Sequence, residues 1–406
     1  MRNTNKKGFT IVELVIVVAV IAILAAVLIP TFSGVIKKAQ YTADQKAEKD
    51  MNTALAIEMN PKNLDDAIDA LIENGFNGKN LVPVSAGYSY VWSKADYKIY
   101  LVKTDAITAD HINLAEGVKY IDVVADNVEN LFEAISLGSE KITLNKDIEI
   151  NKTLSIPANA NVTLDLGGHT ITSTYTVQSD GNKSNYVEVN GSLTITNGTI
   201  ISRGVMVYGT LTINDEKVTI INNDRNGGSP IRVKSTGKVF ISAGTYKSNE
   251  GDYKGTESDK YWESFPTDEP NVIDNNGGEV VISGGRFECT GSFPYAINNY
   301  NNGKLTISGG EFIGYRGVVA ATNGTVEISG GKFTVEQTVN GRSHAVYSAN
   351  ANVSITGGEF SGLYAFCLED DTEDTDYTGT ITVSAGVKAN DVVLDNALNL
   401  KDGADY

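Results

Sequence analysis

The first apolar block is unbroken. Residues 14–29 are 16 apolar positions in a row, and counted from Phe9, with Glu13 as one interruption, the run is long enough to cross a bilayer as a helix. The helix is expected to continue to about Met59. Val35, Ala39, Ala43, Ala47, Met51, Leu55 and Met59 recur every four residues as one slowly drifting stripe, while Lys37, Lys38, Asp44, Lys46, Glu48, Lys49 and Asp50 take the other face. Asn60-Pro61 ends it. Leu64, Ala67, Ile68, Leu71 and Ile72 predict a short amphipathic helix stopped by Asn74-Gly75. Residues 88–93 and 97–103 alternate apolar and polar side chains around Lys94-Ala95-Asp96 and predict a β-hairpin. Val128, Leu131, Phe132 and Ile135 share one helical face, so 108–137 reads as a helical cap on the C-terminal body.

Beyond about Gly138 the period changes to two. A turn residue followed by x-apolar-x-apolar, often with Gly-Gly-x-Phe after it, begins at Ala160, Gly191, Gly209, Gly237, Gly278, Gly303, Gly324, Ala351 and Gly379. Repeats of this length with period two predict a solenoid of strands, not of helices. One inward column is Leu193, Leu211, Val239, Val280, Leu305, Val326, Val353 and Ile381. The next is Ile195, Ile213, Ile241, Ile282, Ile307, Ile328, Ile355 and Val383. A third strand contributes Tyr246, Phe287, Phe312, Phe333 and Phe360, and a short strand contributes pairs such as Ala296-Ile297 and Val318-Val319. Three strands per coil, each pairing with its copy in the next, make a parallel β-helix of about nine coils. This body resembles the pectate-lyase-like right-handed β-helix family; the handedness is implied by that resemblance alone.

Charge then gives the first block a direction. Arg2, Lys6 and Lys7 precede it, which places residue 1 in the cytoplasm and everything after about Pro30 outside. A carboxylate inside a membrane helix costs roughly 2.5–3.5 kcal/mol on insertion scales, so Glu13 is expected to have a partner and a purpose. Gly8, Phe9, Thr10, Glu13 and Pro30 resemble the class III signal of type IV prepilins and pseudopilins. That resemblance implies cleavage after Gly8 by a prepilin peptidase, methylation of the new amino-terminal Phe9, and a role for Glu13 in neutralising the terminus of a neighbouring subunit during assembly. The alternatives are a secretory signal cut near Ala25-Ala26 or a plain uncleaved anchor, neither of which needs a buried acid.

The resulting expectation is a leader (1–8), a transmembrane and amphipathic helix (9–60), a small α+β head (61–106), a helical linker or cap (107–143) and an all-β parallel helix (144–406). A net charge of −17 disfavours nucleic acid and anionic membrane surfaces as main partners. The implied partners are the membrane, the peptidase and methyltransferase, other pilin-like subunits, and surface glycans or proteins.

Candidate chemistry is sparse. Cys289 and Cys367 lie on different faces about three to four coils apart, so no disulfide is expected. His111, His169 and His344 are scattered and signal no zinc site. The outward residues Arg286, Glu311, Lys332 and Glu359 read as an alternating charge ladder. Arg232-Val233-Lys234 weakly echoes the Arg-Ile-Lys of polygalacturonase-like hydrolases, whose paired aspartates and Gly-His-Gly are missing, so no catalytic residue is assigned. A long insertion holds Tyr253, Tyr261, Trp262 and Phe265, aromatic side chains suited to sugars or a protein partner. Glu369, Asp370, Asp371, Glu373, Asp374 and Asp376 supply oxygen ligands that calcium could use, but their spacing matches no EF-hand and a solvated turn is favoured. The expected role is that of a minor pilin or pseudopilin displaying a β-helix for adhesion or binding. The alternative is a carbohydrate-active β-helix enzyme, a polysaccharide lyase or glycoside hydrolase.

Overall fold

The computed structural model describes residues 11–57, 61, 63–76, 80–115, 122–136, 138–173, 186–222, 228–248, 271–289, 295–315, 317–336, 343–368, 379–400 and 406; the side chains of 11–16, 21–31, 65 and 122 also lie outside the described set. The chain forms two compact units, Met1–Val118 and Lys119–Tyr406.

In the first unit, α1 (Ile11–Ile57) is one helix. α2 (Leu64–Glu73) starts at Asn63, whose side chain accepts from the Asp66 amide, and stops at Asn74 and Gly75, the latter with φ +85°. β1 (Tyr88–Ser93) and β2 (Lys98–Lys103) pair antiparallel from Tyr88↔Lys103 to Ser93↔Lys98, the hairpin the alternation predicts. A third strand, β3 (His111–Asn113), pairs with β1 on its other side. Met51, Leu55, Ile68, Leu71, Leu81, Tyr90, Trp92 and Ile99 are buried in this unit.

The second unit opens with β4 (Asp122–Ala125), α3 (Val128–Ser136) and β5 (Lys141–Leu144). The helix expected over 108–137 is therefore corrected to 128–136. Ile112, Val123 and Val124 are β-branched, and Ile112 and Val123 find strand partners in Trp92 and Ile142. α3 buries Leu131, Ala134 and Ile135 in the core of this unit and lies over β4 and the strands Ile148–Ile150 and Leu154–Ile156.

From there the chain stacks on itself. Val205–Val207, Thr210–Ile213 and Thr219–Asn222 each pair in parallel with a copy in the next coil: Ile231–Val233, Lys238–Ile241 and Thr245–Ser248. In two later coils the first two strands run together, as Gly317–Ile328 and His344–Ile355. These long parallel sheets are consistent with a β-helix. Both predicted apolar columns are in register: Leu193 pairs with Leu211 and onward to Ile381, and Ile195 with Ile213 and onward to Val383. The third column stacks its rings. Tyr246, Phe287, Phe312, Phe333 and Phe360 lie 4.6–4.8 Å apart with interplanar angles of 6–13°. Parallel pairing one coil apart, about 4.8 Å, imposes this spacing, and the rings add attraction beyond their burial. The stack closes in antiparallel pairs, Thr380–Val383 with Leu398–Leu400 and Lys388–Ala389 with Val392–Val393.

Candidate functional site

Gly8 and Phe9 lie outside the described residues, as does the side chain of Glu13, whose backbone is in the third position of α1. Among the described residues no helix is long and apolar enough to cross a membrane; most side chains of the apolar run 14–29 fall outside that set. Further along α1, Phe32, Val35 and Ile36 are 61%, 61% and 54% exposed, so three large apolar side chains face outward before the helix meets the head.

Tyr41 brings α1 onto the head, its ring 5.0 Å from that of Tyr88, and the first fully buried residue of the docked part is polar. Asp44 is only 3% exposed, and its two carboxylate oxygens accept from the Val84 amide at 2.9 Å and the Ser85 amide at 2.8 Å. The Tyr90 hydroxyl donates to the Asp44 carbonyl at 3.0 Å. Burial, with the nearby Asp44 charge, pushes the Tyr90 hydroxyl well above its usual range. Two turns on, Asn52 binds the Ile99 backbone from both sides: its Nδ2 donates to the Ile99 carbonyl at 2.7 Å and its Oδ1 accepts from the Ile99 amide at 2.9 Å. That satisfies the outer edge of β2 at Ile99, where the strand has no neighbouring strand among the described residues. Glu48 is half-buried between them; burial raises its carboxyl, against a hydrogen bond from the Leu101 backbone.

The buried face of α1 is thus Asp44, Met51, Ala54 and Leu55, which corrects the stripe expected at every fourth residue. A spacing of four overshoots the helical turn by about 40°. Between Val35 and Met51 the stripe therefore rotates to nearly the opposite side, and Ala39 and Ala43 are exposed. Asp44 and Asn52 were missed because a polar side chain that docks a helix by binding backbone leaves no hydrophobic signal.

On the second unit the charge ladder is present. Arg286, Glu311, Lys332, Glu359 and Lys388 are successive strand partners. Arg286 pairs with Glu311, and Lys388 reaches Glu359 at 3.7 Å. Beside it Lys247 meets Glu288 at 2.8 Å. Burial pushes Glu288 up, but the hydrogen bonds and charges of Lys247 and Arg286 outweigh it and hold its carboxyl below the usual range. Arg232 is buried in an outward row with Asp274 as its strand partner, and Asp274 accepts from the Tyr300 hydroxyl at 3.2 Å. The aromatic insertion with Tyr253, Tyr261, Trp262 and Phe265, and the acidic run 369–376, lie outside the described residues. Among the described residues no three His, Cys, Asp or Glu side chains gather as a metal site. His169 faces Asp147 at 3.5 Å, while His111 and His344 stand on other strands. Cys289 and Cys367 are buried and form no disulfide.

A model of the prokaryotic N-terminal methylation motif matches residues 3–29. Over 111 residues the chain is 32% identical to the type IV major fimbrial protein FimA of Dichelobacter nodosus, a span of 26% of this chain and 69% of that protein. Over 38 residues it is 60% identical to the type IV wide pilus major component PilA4 of Thermus thermophilus, a span of 9% of this chain and 29% of that one. No solved structure matches.

Proposed function

This chain belongs to the type IV pilin family, and we propose on that premise that it is a minor pilin or pseudopilin that displays a β-helix outside the cell for adhesion or partner binding. The observation that carries this reading is the methylation motif over 3–29, leading into a single helix that runs to Ile57. Prepilin peptidase would cut after Gly8 and Phe9 would be methylated. Glu13, near the start of α1, would then neutralise the amino terminus of a neighbouring subunit. Phe32, Val35 and Ile36, exposed just before the docked part of α1, suit contact with other helices.

The stacked unit is proposed to be a right-handed, pectate-lyase-like β-helix. About nine coils at ~4.8 Å each extend it by roughly 40 Å. So large a body at every position of a tight fibre would crowd its neighbours, which favours a tip or minor subunit. The reading assigns binding, not catalysis, to this surface: the outward third-strand face is a salt-bridged ladder, and cross-strand pairs of that kind stabilise a sheet by roughly 0.2–1 kcal/mol each.

Amino-terminal sequencing of the mature protein tests the proposal. A methylated Phe9 start, lost in Gly8→Ala, is the expected result. A start near Val27 would replace it with an ordinary secretory signal. Glu13→Ala should leave membrane insertion intact, or improve it, while incorporation with pilin-like partners fails; unchanged incorporation would remove the assembly role.

A further inference from the structure

One side of the second unit carries aromatic rings that the alternation of core residues does not require. Tyr295, Gly317, His344 and Tyr364 are partners at the start of the first strand in successive coils, and Asn298, Ala320, Tyr347 and Cys367 are partners three residues on. The coil between Tyr295 and Tyr347 has only Gly317 and Ala320 at these places. A Cβ on Gly317 would come within 2.3 Å of the Tyr295 ring, so that ring lies across the glycine. Tyr295 and Tyr347 then meet at 6.4 Å with an interplanar angle of 28°. His344, 7% exposed, stands 6.2 Å from the Tyr347 ring and stacks on Tyr364 at 5.7 Å and 19°. The three tyrosines are half-buried, each leaving part of its surface to solvent. The row of Tyr347 continues through Asn298 to Asp274, both partly exposed.

We infer that this row binds a neutral glycan chain lying along the stack, with Tyr295, Tyr347 and Tyr364 under the sugar faces and Asn298 and Asp274 on its hydroxyls. The inference rests on the binding role proposed above and gives it a site. Tyrosine rings offer flat apolar surface at small entropic cost, matching the C–H face of a hexose. Amide and carboxylate groups beside them supply the few directed hydrogen bonds that orient such a ligand. Coils advance by about 4.8 Å, close to the length of one hexose, so Tyr347 and Tyr364, in successive coils, can meet successive sugars, and Tyr295, two coils before Tyr347, a sugar further along the same chain. The net charge of −17 selects against acidic polysaccharides. Three tyrosines in two adjoining register rows offer far less than the roughly 800 Å² per partner of a stable protein interface.

The test uses the full chain in detergent on an array of neutral hexose and N-acetylhexosamine oligosaccharides, with polygalacturonate as the acidic control. The expected result is retention on neutral chains, weakened about tenfold by Tyr347→Ala or Tyr364→Ala and kept by Tyr347→Phe. Ring-current shifts of the remaining aromatic protons, or an unchanged melting curve, establish that the alanine variants are folded. Retention unaffected by either alanine variant would overturn the site while leaving the binding role intact. No retention, or retention only on polygalacturonate, would overturn the glycan assignment; the pilin reading stands or falls separately on the Phe9 start.

Discussion

Gly309 and Gly310 are neighbours needed for different reasons. A Cβ on Gly309 would sit 2.4 Å from the Ser283 carbonyl of the coil below, so this glycine is fixed by close approach. Gly310 has φ +109°, a conformation that side chains with a Cβ adopt poorly. The same division recurs at Gly284-Gly285, Gly330-Gly331 and Gly357-Gly358. Between these corners the strand residues alternate: Leu305 and Ile307 are buried and Thr306 faces out. Ile307→Ala or Phe312→Ala should each cost roughly 2–5 kcal/mol in denaturant melts, and Thr306→Ala should cost little. Equal effects of the two classes would contradict the register.

At the scale of elements, the strands were legible and the docking of α1 was not. Strand register could be read because a period of two leaves no freedom: a slip of one residue would turn Ile307 and its whole column outward. The Gly-Gly corners then fixed where each strand begins. The buried face of α1 could not be read from spacing, since Ala39 and Ala43 fit the apolar stripe and are exposed, while Asp44 breaks it and is buried. β3 was missed because three residues, His111–Asn113, are too few to show a period. Of the candidate sites, the methylation motif was plain because it is a local pattern of residues, whereas the tyrosine row joins residues from coils far apart in sequence. If Asp44 anchors the loop before β1, Asp44→Ala should weaken that anchor by roughly 1.5–3 kcal/mol, the worth of hydrogen bonds to a charged group. Hydrogen exchange should then speed up at Val84 and Ser85; unchanged protection there would show that the loop holds without it.

For the whole molecule, the separation of strands decides the chemistry of the two cysteines. Cys289 belongs to the third strand of its coil and Cys367 to a first strand several coils later. Their separation along the stack is at least ~14 Å, beyond the ~7 Å reach of a disulfide. Thiol counting on the denatured, unreduced protein should therefore find both, even from an oxidising environment; a Cys289–Cys367 peptide would overturn the stacking order. The stack has one more consequence, which concerns length. Lys304 pairs with Thr325, so the 21 residues from Lys304 to Gly324 are one complete turn of chain. Because each turn meets only its neighbours, removing these residues should bring Thr325 onto the partners that Lys304 leaves. A chain lacking 304–324 is expected to stay folded and to be shorter by one rung of about 4.8 Å, which small-angle scattering on a series of such deletions would measure as equal steps. The length of this unit is then a countable property, set by how many turns it carries.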